Sequence, residues 1–131
     1  MINVNQSLKL MVGLPASGKT TWAKNWVSQK PEKRIRVCRD DIRKMLGPST
    51  MITNRREALI SIIESTAVRN ALKRGFDVVI DAHHLNPKVV SKWKSYVDMI
   101  NTKEDIQLDI EFINMNTPLD ICISRDTMRK G

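Results

Sequence analysis

The chain has 131 residues, enough to close one hydrophobic core but not two, so residues 1–131 read as a single domain. Hydrophobic residues make up 41% and charged residues 27%, near the globular average, so neither a disordered chain nor a membrane protein is suggested. A net charge of +8, from 22 Lys and Arg against 14 Asp and Glu, favours anionic ligands such as nucleotides, phosphorylated substrates or nucleic acid without choosing among them.

No apolar run approaches the roughly 20 residues that cross a bilayer, and Met1 to Lys9 lacks the apolar core of a signal peptide, so no membrane partner and a cytoplasmic location are expected. Cys38 and Cys122 have no companion at metal-ligand spacing and are expected to be reduced, structural thiols. An aromatic content of 5% argues against an extensive base-stacking platform.

In chain order, Leu8 to Val12 is a short, mostly apolar run ended by a glycine, as expected of a strand buried on both faces of a parallel sheet. From Gly18, the apolar positions Trp22, Ala23, Trp26 and Val27 recur at helical spacing to about Gln29. Ile35 to Cys38 suits a second strand, followed by the charged segment Arg39-Asp40-Asp41-Ile42-Arg43 and a turn at Gly47-Pro48. Residues Asn54 to Arg74 predict a long helix that turns Leu59, Ile62, Ile63, Ala67, Ala71 and Leu72 to one face and stops at Gly75.

Phe76 to Ile80 predicts a third strand ending at Asp81, and Asn86-Pro87 opens a helix over Lys88 to Ile100. Ile106 to Ile113 alternates apolar and polar residues, which predicts a strand less covered on one side, at an edge. Thr117-Pro118 starts a last helix. Strands alternating with helices predict an α/β fold: about four parallel strands between helices on both faces. The tryptophans Trp22, Trp26 and Trp93 and the methionines are expected in the core.

Gly13-Leu14-Pro15-Ala16-Ser17-Gly18-Lys19-Thr20 fits the P-loop pattern and sits after a buried strand at the mouth of a helix, where its mechanism requires it. Backbone N–H groups of roughly Ala16 to Thr20 would point at nucleotide phosphates. Lys19 would bridge the β- and γ-phosphates, and the Thr20 hydroxyl would ligate Mg²⁺, with Thr21 adding a phosphate contact.

A P-loop alone does not separate a kinase from an ATPase or a switch GTPase. The remaining chemistry must come from other strand ends. Asp40, just past the second strand, could take the proton from an attacking hydroxyl, or it or Asp41 could cap the helix that follows. Asp81 could act as a second carboxylate for the metal or merely close a turn. His83 and His84 lack further ligands at metal spacing and read as loop residues. Arg125 and Arg129, four apart, would share a helix face that either clamps a transferring phosphoryl group or faces solvent.

Together these residues resemble the kinase domain of polynucleotide 5′-hydroxyl kinases, especially the bacteriophage type. The resemblance rests on Gly13 to Ala23, on Arg39-Asp40-Asp41-Ile42-Arg43, on Ile80-Asp81-Ala82-His83-His84-Leu85-Asn86-Pro87, and on Arg125 with Arg129. It implies a three-layer P-loop kinase fold and transfer of the γ-phosphate of ATP, with Mg²⁺, to 5′-hydroxyl ends of DNA or RNA. It implies Asp40 as general base, Lys19 and Arg129 as charge stabilisers, Arg125 beside the nucleotide, and Arg39, Arg43 and Asp81 on the substrate side. Neighbouring Arg34 and Arg36 are expected to add phosphate contacts. Ala16 stands where that family commonly has glycine, and its members usually continue past the equivalent of Gly131, often into a phosphatase domain whose Asp-x-Asp-x-Thr motif this sequence does not contain. The alternatives are a kinase of nucleosides or other small alcohols, or a non-catalytic nucleotide-binding module.

Overall fold

Leu8, Leu10, Val78 and Ile80 point to one face of a parallel sheet and Met11 and Val79 to the other, because side chains alternate along a strand. The computed structural model describes residues 5–12, 18–81, 87–104 and 107–114. Within these, the elements run β1 (Asn5–Val12), α1 (Lys19–Gln29), β2 (Arg34–Cys38), α2 (Arg39–Leu46), α3 (Asn54–Lys73), β3 (Asp77–Asp81), α4 (Pro87–Glu104) and β4 (Gln107–Asn114). Among the described residues the sheet has four strands in the order β2-β3-β1-β4, every pairing parallel.

This is the α/β P-loop kinase fold expected from the sequence. α3 and α4 supply Val68, Leu72, Trp93, Val97 and Ile100 to the face of Leu8 and Leu10, while α1 supplies Ala23 and Trp26 to the face of Met11. Each of the aliphatic side chains Val68, Leu72, Val97 and Ile100 contributes about 1.5–3 kcal/mol by leaving water. Covering both faces is why Val78 to Ile80 of β3 form a continuous apolar run and why the second half of β1, Leu8 to Val12, is mostly apolar. β4 takes the edge beside β1, with Leu108 buried and Phe112 44% exposed.

Glycine and polar residues set the helix ends. Gly75 has φ 91°, and its N–H donates to the Leu72 carbonyl while Phe76 N–H donates to Ala71, the paired bonds that close a helix C-terminus on a left-handed residue. At the other end Thr53 accepts from the Arg56 N–H at 3.2 Å. Pro87 opens α4 at the position where its missing N–H costs nothing.

Several expectations are corrected. The buried stripe of α3 is Ile60, Glu64, Val68, Ala71 and Leu72, whereas Leu59 is 47% and Ile62 is 62% exposed, and Ala67 also faces solvent. Arg39 to Leu46, read as a charged segment before a turn, is the helix α2. Trp26 and Trp93 are buried, with Trp22 half-buried and stacked on Trp26, but only Met11 of the described methionines is in the core: Met45, Met51 and Met99 are exposed. The helix expected after Thr117-Pro118 and the residues Cys122, Arg125 and Arg129 lie outside the described residues. No helix among the described residues is long and apolar enough to cross a membrane.

Candidate active site

The carboxyl ends of β1, β2 and β3 meet between α1 and α2. The chain leaves β1 toward β2 on one side and β3 toward β4 on the other, so β1 and β3 flank a topological switch point, where α/β sheets bind ligands. A cleft of about 540 Å³ opens there, lined by Gly18, Lys19, Thr20, Thr21 and Lys24 from one side and Asp40, Asp41 and Lys44 from the other. Arg36, Cys38 and Asp81 complete the lining.

Gly18 precedes α1 with φ 92°, a left-handed conformation that side chains disfavour, and its carbonyl accepts from the Trp22 N–H at 2.9 Å. The turn at Gly18 delivers Lys19 and Thr20 to the first turn of α1, whose N-terminus, with its partial positive charge, opens on the cleft. Lys19 is 5% exposed although charged. Gly13, Pro15, Ala16 and Ser17, the rest of the expected phosphate loop, lie outside the described residues, as do His83 and His84.

Asp81 sits at the end of β3, 3% exposed, opposite Cys38 in the register of β2 and β3. Its Oδ2 accepts from the Thr20 hydroxyl at 3.0 Å and from Arg36 Nε at 3.0 Å, while Arg36 Nη1 donates to Asp41 at 2.8 Å. The bond joins α1 to β3, elements 61 residues apart in sequence. A buried carboxylate left alone would cost several kcal/mol, and the Arg36 partner offsets that penalty. Burial works against the charge of Arg36, but hydrogen bonds to Asp41 and Asp81 outweigh it and raise its pKa. Burial pushes the Cys38 thiol up, which keeps it in its unreactive protonated form.

Asp40 and Asp41 occupy the first turn of α2, where negative charge suits the helix dipole, but neither is its N-cap; Cys38 is. Asp41 is engaged by Arg36, and Asp40 accepts from Arg43 Nη1. The rest of the Arg43 guanidinium belongs to Glu57 on α3, through Nε at 2.9 Å and Nη2 at 2.9 Å. Arg39 donates to Glu57 at 3.1 Å and to Glu64 at 3.2 Å. That pair accounts for the charge on the buried stripe of α3. The hydrogen bonds from Arg43, opposed in part by desolvation, hold the Glu57 carboxyl at about 2, and the same bonds raise the pKa of Arg43.

Lys19, Thr20, Thr21, Asp40 and Asp81 therefore line one cleft, while Arg39 and Arg43 turn their guanidinium groups toward α3. Of the two further arginines expected at the phosphates, Arg36 is on the cleft floor. Arg34 is elsewhere: its guanidinium lies 4.5 Å over the Trp26 ring and donates to the Trp26 carbonyl. Sequence reasoning missed Glu57 and the roles of Arg36 and Glu64. The only signal available was their charge.

Comparison with known proteins gives this geometry a family. No curated protein sequence matches the chain. Among solved structures, it is similar to a chain of a Pnkp1/Rnl/Hen1 complex, with 28% identity, a TM-score of 0.64, and coverage of 92% of this chain and 38% of that one. A chain of the Pnkp1/Rnl/Hen1 RNA repair complex gives 26% identity, a TM-score of 0.68, and coverage of 98% and 39%. The chain thus spans about two fifths of the length of these relatives. A mutant APS kinase CysC from Mycobacterium tuberculosis shares the fold at 14% identity and a TM-score of 0.58, over 86% of this chain and 78% of its own. The AAA domain family matches residues 8–131, and with the P-loop lysine, the threonine beside a β3 carboxylate and the four parallel strands in place, the chain belongs to that family and has its P-loop kinase fold.

Proposed function

We propose that residues 1–131 act as a phosphotransferase domain that moves the γ-phosphoryl group of ATP to the 5′-hydroxyl end of RNA or DNA. The observation that carries the reading is the convergence on one cleft of a buried P-loop lysine, a threonine hydroxyl paired with a strand-end carboxylate, and a second carboxylate, Asp40, on the facing helix. The similarity to chains of the Pnkp1 complexes, one of them described as an RNA repair complex, supports a nucleic-acid acceptor.

In this mechanism the loop from Gly13 through Pro15, Ala16 and Ser17 to Gly18 holds the phosphates with its backbone, joined by Thr21, and Lys19 neutralises charge on the γ-phosphoryl oxygens. The acceptor hydroxyl oxygen forms a bond to the γ-phosphorus as the bond from that phosphorus to the β,γ-bridging oxygen breaks. Its proton passes to the Asp40 carboxylate, and ADP leaves. Arg43 fixes the rotamer of Asp40, and Glu57 holds both Arg43 and Arg39 behind it. Arg125 would contact the nucleotide, and Arg129 would stabilise charge on the transferring group.

Thr20 Oγ1 and Asp81 Oδ2, two hard oxygen donors 3.0 Å apart, fit a small hard cation that keeps most of its waters. When bound there, Mg²⁺ would supply charge neutralisation across the phosphate oxygens. Arg36 and Thr20 hold the Asp81 carboxylate ready for it.

The reading is tested by offering ATP labelled on its γ-phosphate to 5′-hydroxyl oligonucleotides, nucleosides and simple alcohols in parallel. Label on the oligonucleotide 5′ end supports it. Label on nucleosides or alcohols alone makes the domain a small-molecule kinase, and ATP binding without any transfer makes it a binding module.

A further inference from the structure

We infer that Lys24 and Lys44 form a cationic gate through which a nucleic-acid acceptor leaves the cleft, gripping the backbone phosphate nearest its reacting end. The inference rests on the function proposed above and names the residues that make the acceptor a polyanion.

Among the described residues, four cationic side chains line the cleft: Lys19, Lys24, Arg36 and Lys44. Lys19 is buried at its base. Arg36 is bound to Asp81 and Asp41. Lys24 and Lys44 are exposed, and among the described residues neither has a hydrogen-bond or ion-pair partner. Arg39 and Arg43, the arginines that the sequence suggests for the acceptor, do not line the cleft, and their donors are taken by Glu57, Glu64 and Asp40. Among the described residues, exposed positive charge on the cleft with no carboxylate partner therefore comes from the two lysines.

Their position along the helices supplies the second argument. Lys44 is four residues beyond Asp40 on α2, and Lys24 is four beyond Thr20 on α1, so each shares a helix face with a group at the cleft floor, about one 5.4 Å turn farther out. Both helices begin at the cleft. An acceptor whose terminal hydroxyl meets Asp40 and whose chain runs outward along α2 then carries its next phosphate to the level of the lysines, within reach of one nucleotide. A nucleoside ends before that level and meets neither.

Lysine suits this task because a compact ammonium on a flexible stem accepts a phosphate from many directions without reading a base. The gate should therefore bind DNA and RNA strands with little sequence preference.

The test is equilibrium binding of a single-stranded 5′-hydroxyl 12-mer, labelled at its 3′ end, measured by anisotropy across a salt series. It compares the wild type with Lys24→Gln/Lys44→Gln and with Lys73→Gln/Lys103→Gln. The last variant removes the same charge from the C-terminal turns of α3 and α4, at the opposite edge of the sheet. The gate variant should bind several-fold more weakly and lose about 0.7 from the slope of log K against log salt, the share of one neutralised phosphate on a single strand. Its oligonucleotide KM should rise in parallel, with a smaller change in kcat. Equal affinity and slope in the gate and control variants would overturn the inference while leaving oligonucleotide phosphorylation intact. So would a loss confined to ATP affinity. A wild type that binds no oligonucleotide and labels only nucleosides would overturn both the gate and the function it rests on.

Discussion

Glu57 receives the guanidinium of Arg43 in a two-pronged contact, Nε to Oε2 and Nη2 to Oε1, both at 2.9 Å. The third prong of Arg43 holds Asp40, so a carboxylate on α3 fixes the orientation of the proposed base on α2. Planar paired contacts of this kind carry angular information that a single bond lacks.

Replacing Glu57 should therefore act at two levels. Glu57→Gln leaves Arg39 and Arg43 short of a partner and should destabilise the fold by about 1–3 kcal/mol at pH 7. Phosphoryl transfer should fall as well, because Asp40 loses its fixed rotamer. A denaturant titration and a kcat measurement on the same preparation separate the two effects. Unchanged kcat would detach Glu57 from the site.

The same contact gives stability a pH signature. The Glu57 carboxyl titrates at about 2 in the folded chain against an ordinary 4.5, so its charged form is favoured by folding. That contribution is complete above about pH 4.5 and is lost as pH falls toward 2. Wild-type stability should slope downward across that window. In Glu57→Gln the slope should be shallower there and the same above it; parallel curves would show that the contact adds nothing.

Asp81 should matter more to the cation-bound nucleotide than to nucleotide alone. Asp81→Asn keeps the shape but weakens the bonds to Thr20 and Arg36 and removes a charge from the cleft floor. Calorimetric titration should show affinity for ATP with Mg²⁺ falling about tenfold or more, with a smaller change when the cation is chelated. Equal losses in both conditions would assign Asp81 a purely structural role.

The orientation of α3 predicts a contrast between neighbours. Ile60→Ala should cost about 2–5 kcal/mol, as expected for a buried aliphatic side chain, and Ile62→Ala no more than about 0.5 kcal/mol. Thermal or chemical denaturation of the two variants decides it. The reverse order would mean that α3 presents the other stripe to the sheet.

That contrast marks the boundary of what was legible in the sequence. Strand β1, Gly18, Lys19, Thr20 and Asp81 could be read because each obeys a local rule: an apolar run, a glycine that takes positive φ, a carboxylate at a strand end. The helix α3 carries two apolar stripes, Leu59-Ile62-Ile63 and Ile60-Val68-Leu72, and periodicity cannot say which one meets the sheet. The charge of Glu64 on the second stripe misdirects the choice. Its burial is tolerated because Arg39, 25 residues earlier, pairs with it. The aim of Arg39 and Arg43 was hidden for the same reason, since it is set by Glu57, which belongs to another element.

The central claim is that Asp40 serves as the base in transfer to a 5′-hydroxyl, and single-turnover transfer from ATP to a 5′-hydroxyl oligonucleotide tests it most directly. Asp40→Asn should slow the chemical step by about 10²–10⁴-fold while ATP and oligonucleotide still bind. A rate equal to that of the wild type under the same conditions would contradict the account.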